Sequence, residues 1–328
     1  MLIPKRHAEP NLEANTIEYY KNIFKRVDEA LGHIKLQKLS LTHIQKFYRN
    51  LREPGVKIVQ KKKGDNANSD AKLADITVKK YHTFLVTLLN KAKKWHYISS
   101  NPALDIDTPK ARKIEKAIPT KEEMAKSLNL LDEAPQKYKV STILAIECGL
   151  RREEIFGLEW QDIDFDKKTI NVVRVRVYIP KTGVIEKPPK NDPSRRFFTL
   201  PPLVEKELLE LKRQQEEFRR KLGAMWHNDN KIIANENGEA MHPCSLGSWL
   251  RKFEAKNGTS HATPHTFRHF MTSSHISECH TDPRTVSHLL GHSKVSTTLD
   301  VYSHVIPDAE KKAVLQMDNF LQNLKNSI

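Results

Sequence analysis

Between residues 265 and 302 the chain gathers side chains whose chemistry fits one reaction. His265-Thr266-Phe267-Arg268-His269 is followed by Leu289-Leu290-Gly291-His292, then by Thr297-Thr298-Leu299-Asp300-Val301-Tyr302. A guanidinium presents a planar fork of donors to phosphate oxygens and keeps its charge near neutral pH. Histidine can donate to the same phosphate or accept a proton. A phenol becomes a nucleophile only once its proton leaves, since its free pKa is about 10. Together these groups describe attack by a tyrosine on a phosphodiester. The plainer reading makes His265 and His292 packing or capping residues and Tyr302 a half-buried core residue.

Three helices must deliver these groups. Thr263-Pro264 precedes an apolar-periodic run (Phe267, Phe270, Met271, Ile276), and on that helix His265 and Arg268 are three apart and share a face. Pro283, Val286, Leu289 and Leu290 predict a second, short helix that Gly291 ends. Ser296 or Thr297 caps a third, which carries Leu299 and Tyr302.

These pieces, in this order, resemble the tyrosine recombinase (phage integrase) family, whose pattern is H-x-x-R, then L-G-H, then a tyrosine. The family's upstream arginine matches Arg151 in Cys148-Gly149-Leu150-Arg151-Arg152-Glu153-Glu154. Its lysine, expected in a β-hairpin between the two boxes, matches Lys190 in Pro189-Lys190-Asn191-Asp192-Pro193. Lys187 and Lys181 are its rivals if the hairpin register differs. The resemblance implies that Tyr302 attacks the scissile phosphate to form a 3′-phosphotyrosyl link and free a 5′-hydroxyl. Arg151 and Arg268 would hold the non-bridging oxygens. Lys190 would protonate the leaving oxygen, His265 would accept the tyrosine proton, and His292 would bond the phosphate. Glu154 would support the arginine and histidine; its plainer reading is a surface ion pair with Arg151. The covalent intermediate conserves the bond energy, so the scheme calls for no cofactor, neither ATP nor a metal. Cys148 stands where the family often has threonine, a harmless departure.

The same resemblance implies double-stranded DNA as partner, a homo-tetramer in the synaptic complex with the C-terminal helix docking in trans, and accessory DNA-bending or excision factors. The element moved would be a phage or transposon. Many integrases carry an extra N-terminal arm-binding domain. Here the core-binding helices begin almost at once, as in a simpler group or a truncated chain. Other readings stay open. A type IB topoisomerase-like enzyme would use this chemistry to relax DNA, and a non-catalytic DNA-binding protein would share only the basic front. A metal-dependent hydrolase would draw on His265, His269, His275 and His280, but no H-E-x-x-H accompanies them.

The 328 residues suggest two domains, and 38% hydrophobic content suffices for packed cores. Neither a ~20-residue apolar span nor a signal-peptide core is present, which predicts a cytoplasmic, nucleoid-associated protein without a membrane partner. Cys148, Cys244 and Cys279 lie far apart with no C-x-x-C spacing, so neither a disulfide nor a zinc site is implied. The net charge of +15 is uneven: residues 1–118 hold 24 Lys/Arg against 12 Asp/Glu, a net of +12. Such a front fits a nucleic-acid backbone.

The expected fold is mainly α with a small antiparallel β-sheet (α+β): a helical, SAM-like core-binding domain over 1–106, a basic linker over 107–119, and a catalytic domain with a tail helix over 120–328. The front predicts helices from Thr16 to Gly32, from Ser40 or Thr42, and from Thr77, with a further short helix after Asn101-Pro102. Lys79, Lys80, Lys91, Lys93 and Lys94 line the polar face of the third, while Lys61, Lys62 and Lys63 sit in a polar loop and Lys110 and Arg112 in the linker. All are candidate DNA-backbone contacts. Thr120-Lys121-Glu122-Glu123 is a capping box. Thr169–Ile179 reads as one alternating strand (Ile170, Val172, Arg174, Arg176, Tyr178), Val184–Glu186 runs back, and Arg196–Leu200 adds a third. Helices follow Pro201-Pro202 and Cys244, and residues 308–324 read as an amphipathic tail.

Overall fold

The computed structural model describes residues 13–53, 73–107, 118–189, 195–259 and 263–302, with Met317 and Gln322. Lys61, Lys62, Lys63, Lys110, Arg112 and Lys190 lie outside the described residues, as does nearly all of the tail from 308 to 324. The chain divides into two compact units, Met1–Glu115 and Lys116–Ile328. Mainly helical with small antiparallel sheets, it matches the expected class.

The first unit packs α1 (Ala14–Leu31), α2 (Leu41–Asn50) and α3 (Asp75–Lys94) around Val27, Ile44, Phe47, Val78, Leu85 and Leu89. Each helix buries one stripe, as its apolar spacing requires. Lys79, Lys80, Lys93 and Lys94 are exposed and Lys91 half-buried, all on the side of α3 away from that core. The helix expected after Asn101-Pro102 does not form. The Asn101 side chain accepts the Ala103 amide at 2.9 Å and donates to Asn90 at 2.8 Å, and that local bond holds a turn instead.

In the second unit α4 (Lys121–Leu130) starts at the Thr120/Glu123 capping box. It is followed by α5 (Gln136–Glu147), whose Val140–Ala145 run is buried all round, and by the single turn α6 (Arg152–Ile155). The strands are β1 (Ile163–Asp164), β2 (Thr169–Val172), β3 (Val175–Ile179), β4 (Gly183–Lys187) and β5 (Arg196–Thr199). Helices α7 (Pro202–Leu222), α8 (Ser245–Asn257), α9 (Pro264–Ser277), α10 (Pro283–Leu290) and α11 (Val295–Tyr302) complete the unit. α5 packs against α6, α7, α8 and α9 and is the spine of the core.

The single strand expected over Thr169–Ile179 is two strands in two sheets. β1, β2 and β5 form one antiparallel sheet with Ile170 opposite Phe198, whereas β3 and β4 pair only with each other, Val177 opposite Ile185. The inward phase slips at the break: Ile170 and Val172 point in before it, Val177 and Ile179 after it. Tyr178, which simple alternation puts inside, is 41% exposed. The cause is Arg174, whose guanidinium pairs with Glu159 at 3.0 Å and with the buried Asp162. Gly157 lets that bend close, because a Cβ there would lie 2.7 Å from the Arg174 carbonyl oxygen. Ser296 and Thr297 do not cap α11 either; the helix starts at Val295, and both lie in its first turn.

Replacing Gly157 with alanine therefore sets a methyl against backbone that cannot step aside. A loss of about 1–3 kcal/mol in the urea unfolding free energy is expected.

Candidate active site

The Arg151 box is built by a sharp backbone reversal. α5 ends at Cys148, and Gly149 takes φ +58, placing the chain so close to α9 and α10 that a Cβ there would lie 2.6 Å from Leu290 Cδ2. The reversal turns the Gly149 carbonyl toward α9, where it accepts from Arg268 Nη1. Arg151 then N-caps α6, and Glu154, three residues on, accepts the Arg151 amide at 2.9 Å and its Nη1 at 2.8 Å. Glu154 is no surface partner, being 1% exposed.

The same carboxylate carries a second cation. Arg196, the first residue of β5 and itself buried, donates Nη1 and Nη2 to the two Glu154 oxygens at 3.2 and 3.1 Å. Sequence reading passed over Arg196 in favour of the nearby Lys190. Its signal was there: counting back from buried Leu200 in steps of two reaches Arg196, an inward position.

The end of α10 supplies the other acceptors. Gly291, in the left-handed region, stops that helix as expected and leaves its last carbonyls unpaired. Leu289 O accepts from Arg196 Nε at 2.7 Å. Leu290 O accepts from Arg268 Nη2 at 2.5 Å and from Arg151 Nη1 at 3.5 Å. Gly291 O accepts from Arg151 Nη2 at 3.4 Å. Three guanidiniums from α6, β5 and α9 thus meet on one carboxylate and one helix C-terminus, whose partial negative charge suits them.

The charges shape each other. Burial alone would raise the pKa of Glu154, but Arg196 and then Arg151 hold it below the usual carboxylate range. Burial, then Arg151, pulls the pKa of Arg268 down from the guanidinium range. His292, next after Gly291, has its pKa lowered to about 4, by burial first and then by Arg268 and Arg151. It is neutral at physiological pH. Its Nδ1 lies 2.9 Å from the hydroxyl of Thr298, a fully buried residue of α11. Nε2 is left as the ring's other hydrogen-bonding atom. Tyr302 follows Thr298 by one helical turn on α11.

Arg151, Glu154, Arg268 and His292 therefore come together, and Arg196 joins them. His265 is exposed in the first turn of α9, where its Nε2 lies 2.8 Å from that of His269. Lys181 is exposed at the tip of the β3–β4 hairpin, at φ +68, and Lys187 ends β4. Cys148 is buried, which pushes its thiol pKa up and leaves it protonated and inert. Among the described residues no group of three His, Cys, Asp or Glu could hold a metal ion, and no helix is long and apolar enough to cross a membrane.

Three cations against one buried anion leave a net of +2 facing a neutral imidazole. That combination suits an anionic group such as a phosphodiester. Comparison with known proteins narrows it. Residues 119–308 match the profile "Phage integrase family", and residues 5–52 match "Phage integrase, N-terminal SAM-like domain". A "Tyrosine recombinase XerC-like" protein of Caldanaerobacter subterraneus subsp. tengcongensis is 29% identical over 313 residues, 90% of this chain and 74% of the relative. The ICEBs1 integrase of Bacillus subtilis is 25% identical over 314 residues, 92% of this chain and 78% of the relative. The Tn1549 transposon integrase, solved in complex with transposon right end DNA, shares the fold with a TM-score of 0.76 at 18% identity, covering 94% of this chain and 96% of that one. Lambda integrase, solved as a tetramer bound to a Holliday junction, gives 0.58 at 16%, covering 89% and 73%. The chain belongs to the phage integrase family, the tyrosine recombinases. Its activity is the cleavage and rejoining of DNA strands.

Two consequences can be measured. Glu154→Gln leaves a buried Arg196 without its counter-charge, and about 3–5 kcal/mol of unfolding free energy should be lost. On acidification, an unfolded chain protonates His292 below its ordinary pKa of 6.5, whereas the folded chain resists until about pH 4. Stability from this residue is present above 6.5 and lost as pH falls through that window. Thermal melts of His292→Gln should show a shallower acid dependence there than the unaltered protein.

Proposed function

We propose that this protein is a site-specific recombinase that integrates or excises a mobile element, with Tyr302 as the nucleophile. The Tyr302 oxygen attacks the scissile phosphorus, the bond from phosphorus to the 5′-oxygen breaks, and a 3′-phosphotyrosyl link forms. His265 takes the phenolic proton, and Lys190 delivers one to the departing 5′-oxygen. Arg151 and Arg268 neutralise the equatorial oxygens of the five-coordinate phosphorus, and His292 donates to one of them. Glu154 and Arg196 position Arg151 without touching DNA. A 5′-hydroxyl from a second duplex then reverses the step.

The observation carrying this reading is the shared Glu154 carboxylate, which holds Arg151 in an already charged cradle. A preset cradle needs no rearrangement when charge develops on the phosphate. The position of Tyr302, one turn past the residue that holds His292, agrees with it.

DNA is the partner of the whole chain. The first unit, with the exposed lysines of α3, is the clamp that positions the duplex through its phosphates, helped by Lys61, Lys62, Lys63, Lys110 and Arg112. Strand exchange between two sites calls for four protomers, as in the lambda integrase tetramer, with the C-terminal tail docking in trans. DNA-bending or excision factors set direction, and the complex works on the nucleoid.

Tyr302→Phe tests the assignment on a suicide duplex that traps the covalent species. The variant should give no adduct while its DNA affinity stays within about threefold, a difference under 1 kcal/mol. Adducts persisting in the variant refute the nucleophile. Plasmid relaxation without joining of two cognate sites would favour the topoisomerase reading.

A further inference from the structure

We propose that His265 and His269 form a two-ligand site for a late first-row divalent cation, Cu²⁺ or Ni²⁺ ahead of Zn²⁺, and that filling it arrests strand cleavage. The residues lie four apart at the start of α9, so their side chains rise on one face. Their Nε2 atoms are 2.8 Å apart, while the ring centroids are 4.2 Å apart with the planes at 71°. The nitrogens are nearer than the ring centres, so both rings tip their Nε2 ends toward a common point.

That spacing selects among ions. Two nitrogens at right angles on a tetragonal ion, with bonds of about 2.0 Å, stand about 2.8 Å apart. Two nitrogens on a tetrahedral zinc, at about 2.0–2.1 Å, stand about 3.3–3.4 Å apart. The pair therefore fits adjacent corners of copper or nickel, and zinc requires the rings to open by about 0.5 Å. The intrinsic preference of imidazole along the divalent series points the same way. Since His265 is exposed, water can complete the coordination sphere.

The protons balance. In the metal-free pair one Nε2–H donates to the other Nε2. On binding, the donor ring's proton passes through water to its own Nδ1, and both Nε2 lone pairs go to the ion. A His265 ring with metal on Nε2 and hydrogen on Nδ1 keeps no basic nitrogen. The binding stands on geometry alone; the inhibition rests on the reading of His265 as acceptor of the Tyr302 proton. Loss of that acceptor should slow cleavage about 100-fold.

The test uses the full chain. The nitrogen hyperfine pattern of bound Cu²⁺ should show two imidazoles in the unaltered protein and one fewer in His269→Gln. The difference isolates this pair from the rest of the chain's 15 histidines. Ni²⁺ titrated into a suicide-substrate assay should slow the unaltered protein, EDTA should restore it, and Mg²⁺ should do nothing. His269→Gln should lose the Ni²⁺ sensitivity relative to its own metal-free rate. Equal nitrogen counts in the two proteins would overturn the site. Two-imidazole binding with undiminished cleavage would overturn the inhibition and locate the fault in the role given to His265, not in the geometry.

Discussion

Everything in the catalytic unit depends on keeping three like charges within reach of one another. Arg151, Arg196 and Arg268 arrive from three separate elements, and their mutual repulsion in a half-dry site would drive them apart. Two acceptors prevent this. Glu154 gives its two oxygens to Arg151 and Arg196, and the buried carbonyl end of α10 serves all three. The anchoring is polar and directional, so it fixes orientation as well as charge. One anion against three cations also leaves the site under-neutralised. A phosphate diester, which carries one negative charge, would lower that net of +2 to +1 on entering.

Two backbone features make the anchoring possible. The left-handed turn at Gly149 brings a carbonyl against Arg268, and the left-handed stop at Gly291 frees the carbonyls of α10. The second also sets His292 immediately beyond the helix end, where burial and the neighbouring cations keep it uncharged. A charged imidazole would add a fourth positive group to the cluster. A neutral one still offers a hydrogen bond, at far less cost in repulsion. Stability and chemistry are drawn from the same contacts, so substitutions here act on both.

Much of this was legible along the chain. The His265, Arg268, Leu289–His292 and Tyr302 spacing pointed to phosphodiester chemistry, and the Arg151 box followed from the family pattern. The helices of the first unit and the capping box at Thr120 follow from apolar periodicity and local hydrogen bonding, both of which are short-range. The strand region was misread where a long-range ion pair, Arg174 with Glu159 and Asp162, overrode alternation. The turn after Asn101 went unseen because an apolar pattern does not weigh a side chain that bonds its own backbone.

The sequence alone supplied the candidate reacting groups, the basic front and the order of helices, since each is read from residue type and spacing of a few positions. Tertiary structure decided the partnerships. Glu154 became a buried bridge and not a surface ion, and Arg196 joined the site on the same carboxylate. His265 met His269, its Nε2 lying 2.8 Å from that of the second ring. The reason is physical: a buried charge is satisfied by whatever acceptor the packed elements bring to it. For Arg196 those are Glu154, 42 positions away, and Leu289, 93 positions away.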